Sequence, residues 1–409
     1  MKRRLTLLLR QAYKLGLYFL IPALGAVAPL LVIPAITARY GSDGWAAVAI
    51  ALSLGSTAAV VAELGWGVVG PQRVSRKPDQ AIDVYEMSVS TKVLAVIALA
   101  PIAAVASAVL AAPYSFSAGA ALVAVGAVLG VMSPAWYFIG TGRPIMVLIT
   151  DTVPKVIVSA LSALMISTGA PLEIYGAGLI VATLVGYLCA STFGHLPLWP
   201  SQFRLREAAF HIKSQLVIIL GRSISTLYTS LPTAFLGIAS PNSVGLFSAV
   251  DRTMRMGLGL LGGVPARLQS WVGTPNLSLT ELRSKQSIAI NAGLGLIAAV
   301  TYVLVAPVAI DLLFSGEFKV DGLLVVLVGC VAGLICTSRG LGLALVAAER
   351  ANSITKAIAI SAVVGAAGLL LVAPPFGATG TVIALLAAET TGIVVQAVEL
   401  RREWRRRRA

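Results

Sequence analysis

Charged residues are scarce in this sequence, and acidic residues are the scarcest of them. Only 12% of its 409 residues are charged, with 17 acidic against 31 basic side chains, whereas 57% are hydrophobic and the mean hydropathy is +0.90. Soluble globular domains carry about 25% charged residues. The composition therefore excludes a soluble globular chain and indicates a polytopic membrane protein.

Cysteine, histidine and nucleotide-binding motifs are also nearly or wholly missing. The three cysteines fall within apolar segments, and the two histidines flank a short loop without ligand spacing, which predicts neither a disulfide framework nor a metal site. No GxxxxGK[ST] loop is present, which excludes a nucleotide-driven motor in this chain. The short outer loops contain no catalytic set, so we expect no enzyme activity and no cofactor.

Twelve apolar stretches are each long enough to cross a bilayer, which takes about 20 helical residues. The sequence thus predicts an all-α protein with twelve transmembrane helices and no sizeable domain outside the membrane. The 196–212 loop divides it into two six-helix lobes, residues 1–200 and 201–409, with a substrate path between them. The start mimics a signal peptide, but its apolar run continues to Ala38 and predicts a retained helix. The predicted spans are 15–38, 44–70, 89–112, 117–140, 145–169, 174–195, 213–238, 244–272, 287–314, 322–346, 352–373 and 377–398.

Lysine and arginine predict the orientation of these spans. Of the 31 basic residues, 23 fall in segments on the amino-terminal side or near the span ends that border them, two fall on the other side, and six lie deeper within spans. The positive-inside rule then places both termini in the cytoplasm. The surplus charge, including the arginine-rich carboxy terminus, predicts contact with anionic lipid head groups rather than with nucleic acid. Tryptophans fall at predicted span ends, as interfacial aromatics do: Trp45, Trp66, Trp136, Trp199, Trp271 and Trp404.

Several cations lie where a bilayer is most hydrophobic. Arg222 and Arg255 fall near the middle of the spans 213–238 and 244–272, and a lone charge there costs at least ~2.5–3.5 kcal/mol. With Arg252, and with Lys155 in the span 145–169, they predict a basic cavity for an anionic, phosphorylated substrate. The alternative is internal pairing, because Asp151 lies four residues before Lys155 and Asp251 four before Arg255. Arg222 has no carboxylate within one turn.

Four carboxylates within spans are candidates for ion coupling: Glu63, Asp151, Asp251 and Glu389. Glu389 lies near the predicted midplane without a basic residue within a turn. A carboxyl group in an apolar setting can carry a proton. The alternative for Glu389 is a structural acid that is hydrogen-bonded or paired with Arg339 or Arg222.

Four stretches resemble the Wzx-type O-antigen and exopolysaccharide flippases, a polysaccharide transporter family of the MATE-like multidrug/oligosaccharidyl-lipid/polysaccharide exporter superfamily. SPAWYFIGTGRP at 133–144 is similar to the tryptophan-containing end of the fourth helix. LYTSLPTAFLGIASPNSVGLFSAVDRTMRM at 227–256 resembles the hairpin of helices seven and eight. PPFGATGTVIALLAAETTGIVVQ at 374–396 resembles the final hairpin, and residues 36–76 extend the likeness to most of the chain.

The resemblance implies a flippase that moves undecaprenyl-diphosphate-linked oligosaccharide across the bacterial plasma membrane by alternating access, with possible coupling to an ion gradient. It implies that Arg222, Arg252, Arg255 and Lys155, with Arg339 as a further candidate, hold the diphosphate. The sugar would contact Gln215, Thr226, Thr229 and Ser159. A polysaccharide polymerase and chain-length proteins are further candidate partners.

Three other functions are alternatives for the same sequence. A MATE-type multidrug or cation antiporter shares the superfamily, but cationic drugs favour a carboxylate-lined cavity over one with surplus arginine. A membrane-embedded polysaccharide polymerase or polyprenyl-glycosyl transferase needs a sizeable catalytic loop, and the outer loops are short. A scaffold subunit of an export complex has no positive sign in the sequence.

Overall fold

The computed structural model describes residues 2–201, 207, 210, 212–213, 230–261, 268, 271–272 and 277–408. All the regular structure within these ranges is helical, and no strand occurs there. The all-α prediction is therefore confirmed for this part of the chain. The chain divides into two compact units, Met1–Thr226 (unit 1) and Leu227–Ala409 (unit 2).

Unit 1 is built around α4, which packs against α1, α3 and α8. Small residues permit the close approach: a Cβ atom on Gly176 of α8 would lie 2.5 Å from the backbone nitrogen of Val123 on α4. The helices described in this unit are α1 (Lys2–Ala62), α2 (Trp66–Arg76), α3 (Ala81–Ala111), α4 (Ser117–Leu129), α5 (Ala135–Gly140), α6 (Pro144–Val147), α7 (Val153–Ser167) and α8 (Glu173–Thr192).

The predicted span 44–70 is interrupted in the structure. Helix α1 ends at Ala62 and α2 begins at Trp66. Between them Leu64 has φ 52° and Gly65 has φ 78°, a left-handed conformation that ends the α-helix. Trp66 is then only 1% exposed, in an aromatic cluster with Tyr85, Trp136 and Tyr137. It is thus buried in protein, although the sequence predicts an interfacial tryptophan.

Unit 2 contains α9 (Ser230–Ala239), α10 (Val244–Leu260), α11 (Leu277–Leu313), α12 (Gly322–Ala347) and α13 (Ala351–Arg408) among its described residues. Helix α12 begins where the Asp321 side chain accepts a hydrogen bond from the Leu323 backbone nitrogen at 3.1 Å, which satisfies one of the free N–H groups of the first turn. Helices α11 and α12 pack through glycines, with a Cβ on Gly295 only 2.5 Å from the Gly333 carbonyl oxygen. Closely packed α-hairpins therefore form the body of this unit.

The longest helix of each unit bends at one glycine. Gly41 in α1 has φ 62° and ψ −157°, and Gly377 in α13 has φ 53° and ψ −126°. Residues other than glycine rarely adopt these backbone angles. Gly41 falls in the predicted turn between the spans 15–38 and 44–70, and Gly377 is the first residue of the predicted span 377–398, directly after the predicted turn.

Eight helices in the described residues are long and apolar enough to cross a membrane. Two of these helical segments, Val27–Arg76, which includes the break between α1 and α2, and Asn352–Arg406, are 50 and 55 residues long. Each is long enough for two crossings of about 20 residues, and each contains one of the glycine bends. The chain is therefore a multi-pass membrane protein.

Candidate functional site

Helix α10 presents a charged face because its apolar residues fix its rotation. Phe247, Val250, Met254 and Leu258 recur at helical spacing and are all buried. Tyr302 on α11 donates a hydrogen bond to the Val250 carbonyl oxygen at 2.9 Å and holds that buried face in place. The face turned away from this packing carries two arginines and a glycine: Arg252, Arg255 and Gly259.

The charges on this face do not cancel. The Arg255 Nε donates to the Asp251 Oδ2 at 2.7 Å, with the two side chains 37% and 15% exposed. Arg252 has a buried Nε without a hydrogen-bond partner in the described part of the chain, and so has the Asp251 Oδ1. A Cβ atom on Gly259 would meet open space. Helix α10 therefore carries two guanidinium groups and one carboxylate beside an open surface, which is an arrangement that can receive an anion.

Helix α7 carries the second predicted pair. The Lys155 Nζ donates to the Asp151 Oδ1 at 2.8 Å, with the side chains 41% and 21% exposed. Asp151 lies in a π-helical turn, Leu148–Thr152, directly before α7. Pro154 has no N–H for the Thr150 carbonyl and its ring crowds that oxygen, which explains the widened turn. Ser159 lies one turn beyond Lys155 and is buried.

Both acid–base pairs thus form between residues four apart in the sequence, as their spacing predicts. The pair on α7 is balanced, with one acid and one base. Neither pair tests whether the cations also bind a substrate, so the binding role of Lys155, Arg252 and Arg255 stays a prediction.

The other predicted residues are not brought into these pairs. Arg339 is half-buried on α12 and makes no hydrogen bond or ion pair within the ranges described, so a Glu389–Arg339 pair is not formed. Glu389 is half-buried in the second half of α13, and Glu63 follows the end of α1. Four predicted site residues lie outside the described residues: Gln215, Arg222, Thr226 and Thr229.

Lys92 on α3 is a buried cation for which the sequence predicts no role. It is 2% exposed, its Nζ donates to the Val131 carbonyl oxygen at 3.0 Å, and it lies 5.5 Å from the centre of the Trp136 ring. This cation is satisfied by a carbonyl and an aromatic face. The sequence could have indicated such a buried cation, because Lys92 lies inside the predicted span 89–112 and has no carboxylate within one helical turn.

Comparisons with known proteins identify the family and the fold of this chain. The family model described as "Polysaccharide biosynthesis protein" matches residues 13–265, more than half of the chain. No curated protein matches the sequence. The similar solved structures are described as transporters.

Three similar structures show the fold. An inward-facing multidrug resistance MATE family transporter of the MOP superfamily is 14% identical, with a TM-score of 0.66 over 95% of this chain and 96% of its own. A mutant of the Vibrio cholerae MATE transporter VcmN is 14% identical, with a TM-score of 0.55 over 96% and 98%. A MOP superfamily transporter from Pyrococcus furiosus is 14% identical, with a TM-score of 0.51 over 95% and 93%. The chain has a MATE-like transporter fold and belongs to the polysaccharide biosynthesis protein family.

Proposed function

We propose that the protein is a flippase that moves undecaprenyl-diphosphate-linked oligosaccharide across the bacterial plasma membrane for cell-surface polysaccharide synthesis. It works by alternating access with twelve transmembrane helices in two lobes, residues 1–200 and 201–409, and with both termini in the cytoplasm. The family supports a polysaccharide precursor as cargo, and the fold supports transport. A polysaccharide polymerase and chain-length proteins are its expected neighbours.

The observation that carries this proposal is the surplus positive charge on α10. Arg255 pairs with Asp251, the one carboxylate of α10, and Arg252 has a buried Nε with no hydrogen-bond partner in the described residues. A guanidinium group matches phosphate oxygens at two points and stays charged at all physiological pH values. A diphosphate therefore suits this face better than a neutral or cationic compound.

Asp251 gives Arg255 a partner within the protein that the substrate can displace. In the structure this carboxylate accepts from Arg255 and lowers the cost of a cation within the membrane. An arriving diphosphate competes for the same guanidinium. Asp251 is therefore the acid of α10 that we propose for ion coupling. Asp151, Glu63 and Glu389 are the further acids proposed for ion coupling.

The remaining site residues complete the proposal. Arg222, Lys155 and Arg339 add positive charge for the diphosphate. The sugar hydrogen-bonds with side chains of two spans: Gln215, Thr226, Thr229 and Ser159.

A multidrug exporter is the second candidate, because two of the similar structures are MATE transporters. The similar Pyrococcus furiosus protein is described as having a binding pocket of reversed polarity that suggests a different function. The excess of arginine on α10 favours a comparable departure from cation export here.

Ligand binding by the purified protein tests the proposal. Thermal-shift titrations would compare an undecaprenyl-diphosphate-linked oligosaccharide, the matching undecaprenol-linked sugar without phosphate, and an organic cation. Stabilisation by the diphosphate alone is the expected result. Stabilisation by the organic cation, with none by the diphosphate, supports the exporter and contradicts the flippase.

A further inference from the structure

The carboxy-terminal extension of α13 separates its charges onto two faces. At 100° per residue, residues 399, 400, 403 and 404 share one side of the helix, and residues 401, 402, 405 and 406 share the other. The first side contains two acids, a leucine and a tryptophan, and the second contains four exposed arginines. The arginines at the end of α13 therefore lie together on one face of the helix. The contacts of the opposite, acidic face determine which way they point.

The acidic side is docked on unit 2. Glu403 accepts from the Arg350 guanidinium at 2.7 and 2.8 Å, and Glu399 accepts from the Lys356 Nζ at 2.9 Å. Leu400 is 2% exposed in an apolar cluster with α12 residues. Trp404 packs against that cluster, and the Lys285 Nζ lies 5.3 Å from the centre of its ring. These contacts on three helices fix the direction in which the arginines point.

The exposed side continues an apolar stripe of the same helix. Val394 and Val398 are 54% and 40% exposed, and in a membrane-spanning helix such side chains contact lipid acyl chains. Arg401 and Arg405 follow at spacings of three and four residues, so all four side chains lie on one face. Arg401 is about 4.5 Å beyond Val398 along the helix axis at 1.5 Å per residue. We call these four residues the lipid stripe.

We propose that the lipid stripe, Val394, Val398, Arg401 and Arg405, binds one anionic phospholipid of the leaflet at which α13 ends. The acyl chains lie along the two valines, and the phosphate accepts hydrogen bonds from the two guanidinium groups. The direct continuation of exposed apolar side chains into arginine favours a lipid over a nucleic acid or an acidic protein, neither of which needs the valines. The site is separate from the transported substrate and does not rest on the proposed function.

The same extension offers a charge-matched control. Arg402 and Arg406 are also exposed but lie about 100° around the helix from Arg401 and Arg405. The Arg402 Nη1 is 3.5 Å from the Glu399 Oε1, on the docked side of the extension. The substitutions Arg401→Gln/Arg405→Gln and Arg402→Gln/Arg406→Gln remove equal charge from different faces.

Native mass spectrometry of the full-length protein, titrated with phosphatidylglycerol or phosphatidylcholine, distinguishes the two faces. One basic residue near a membrane surface contributes about a fivefold factor in binding to anionic lipid. We expect R401Q/R405Q to weaken phosphatidylglycerol binding about 25-fold and R402Q/R406Q to weaken it less than about threefold. Phosphatidylcholine binding should change in neither variant.

Three results would contradict the proposed lipid site. They are equal weakening of phosphatidylglycerol binding in both double variants, unchanged phosphatidylglycerol binding in R401Q/R405Q, or equal affinity of the wild-type protein for the two lipids. Elution as a single symmetric peak in size-exclusion chromatography controls for folding. If R401Q/R405Q fails that control, the single variants R401Q and R405Q carry the test, each with an expected loss of about fivefold. Because transport is not the readout, failure of the flippase proposal leaves this result interpretable.

Discussion

Helices α7 and α10 carry the same acid–base spacing in different surroundings. Asp151 and Lys155 are joined at 2.8 Å, and Asp251 and Arg255 at 2.7 Å. The charges of the α7 pair cancel, whereas α10 adds Arg252, whose Nε is buried without a partner in the described residues. The comparison teaches that the spacing of two residues predicts their pairing, but the net charge of the whole face decides whether an anion is attracted.

The difference also explains how each helix tolerates its cation. A lone charge within the bilayer is unfavourable, and an adjacent carboxylate removes much of that cost. At α7 the one cation, Lys155, is paired with the one acid, Asp151, of the preceding turn. On α10 two guanidinium groups accompany one carboxylate, and the proposal is that an incoming phosphate lowers the energy of this face further.

The largest expected effect comes from removing the surplus charge of α10. A hydrogen bond to a charged group contributes about 1.5–3 kcal/mol, so Arg252→Ala/Arg255→Ala should lower transport of the lipid-linked oligosaccharide in proteoliposomes at least about 100-fold. Lys155→Ala, which removes a balanced cation, should lower it only about tenfold. Equal losses in the two variants would remove the distinction between the helices. Arg283→Ala, outside both pairs, serves as the control for a general loss of positive charge.

Neutralising both members of each pair should separate the effect on stability from the effect on transport. Asp151→Asn/Lys155→Met should recover most of the thermal stability lost in Lys155→Met, because no charge is left unpaired. Asp251→Asn/Arg255→Met should recover stability in the same way but stay about 100-fold impaired in transport, because the phosphate has lost its guanidinium. Melting temperature and transport are measured on the same preparations. Recovery of transport in the α10 double variant would show that its arginine serves only to neutralise Asp251.

The smallest expected effects are changes in stability at the glycine bends, one in each unit. Gly41→Ala and Gly377→Ala place a Cβ atom at backbone angles that suit glycine, which costs about 1–3 kcal/mol. Gly377→Ala should destabilise more, because the new Cβ would lie 3.1 Å from the Ser243 Cβ. Gly342→Ala on α12, where a Cβ meets open space, is the matched control and should be neutral or slightly stabilising. Melting temperatures of the detergent-solubilised variants give the order of their stabilities. A Gly377→Ala protein as stable as the Gly342→Ala control would contradict the prediction that the bend at Gly377 requires glycine.

The helical character and the turns between spans were predictable, because they depend on local sequence. Long apolar runs predict helices, and glycine with flanking polar residues or prolines predicts the turns near Gly41 and Gly377. The break at Leu64 and Gly65 was not predicted, because the apolar run continues through it. It depends on the packing of Trp66 into an aromatic cluster, which involves residues distant in sequence.

The candidate site was predictable to a similar degree. Spacing alone predicts both acid–base pairs, since residues four apart meet on a helix. Spacing does not predict that Arg252 lacks a partner or that Lys92 is enclosed by Trp136 and the Val131 carbonyl, because both facts depend on tertiary contacts. The role of Arg222 stays a prediction, since that residue lies outside the described part of the chain.

Photo-crosslinking tests the central claim most directly, because it reports which helix meets the substrate diphosphate. A lipid-linked oligosaccharide with a photoreactive group next to its diphosphate would be irradiated with the purified protein, and the labelled peptide identified by mass spectrometry. The account predicts label on α10 near Arg252 and Arg255, abolished by excess unlabelled substrate and by Arg252→Ala/Arg255→Ala. Competable label confined to α7, with none on α10, would contradict it.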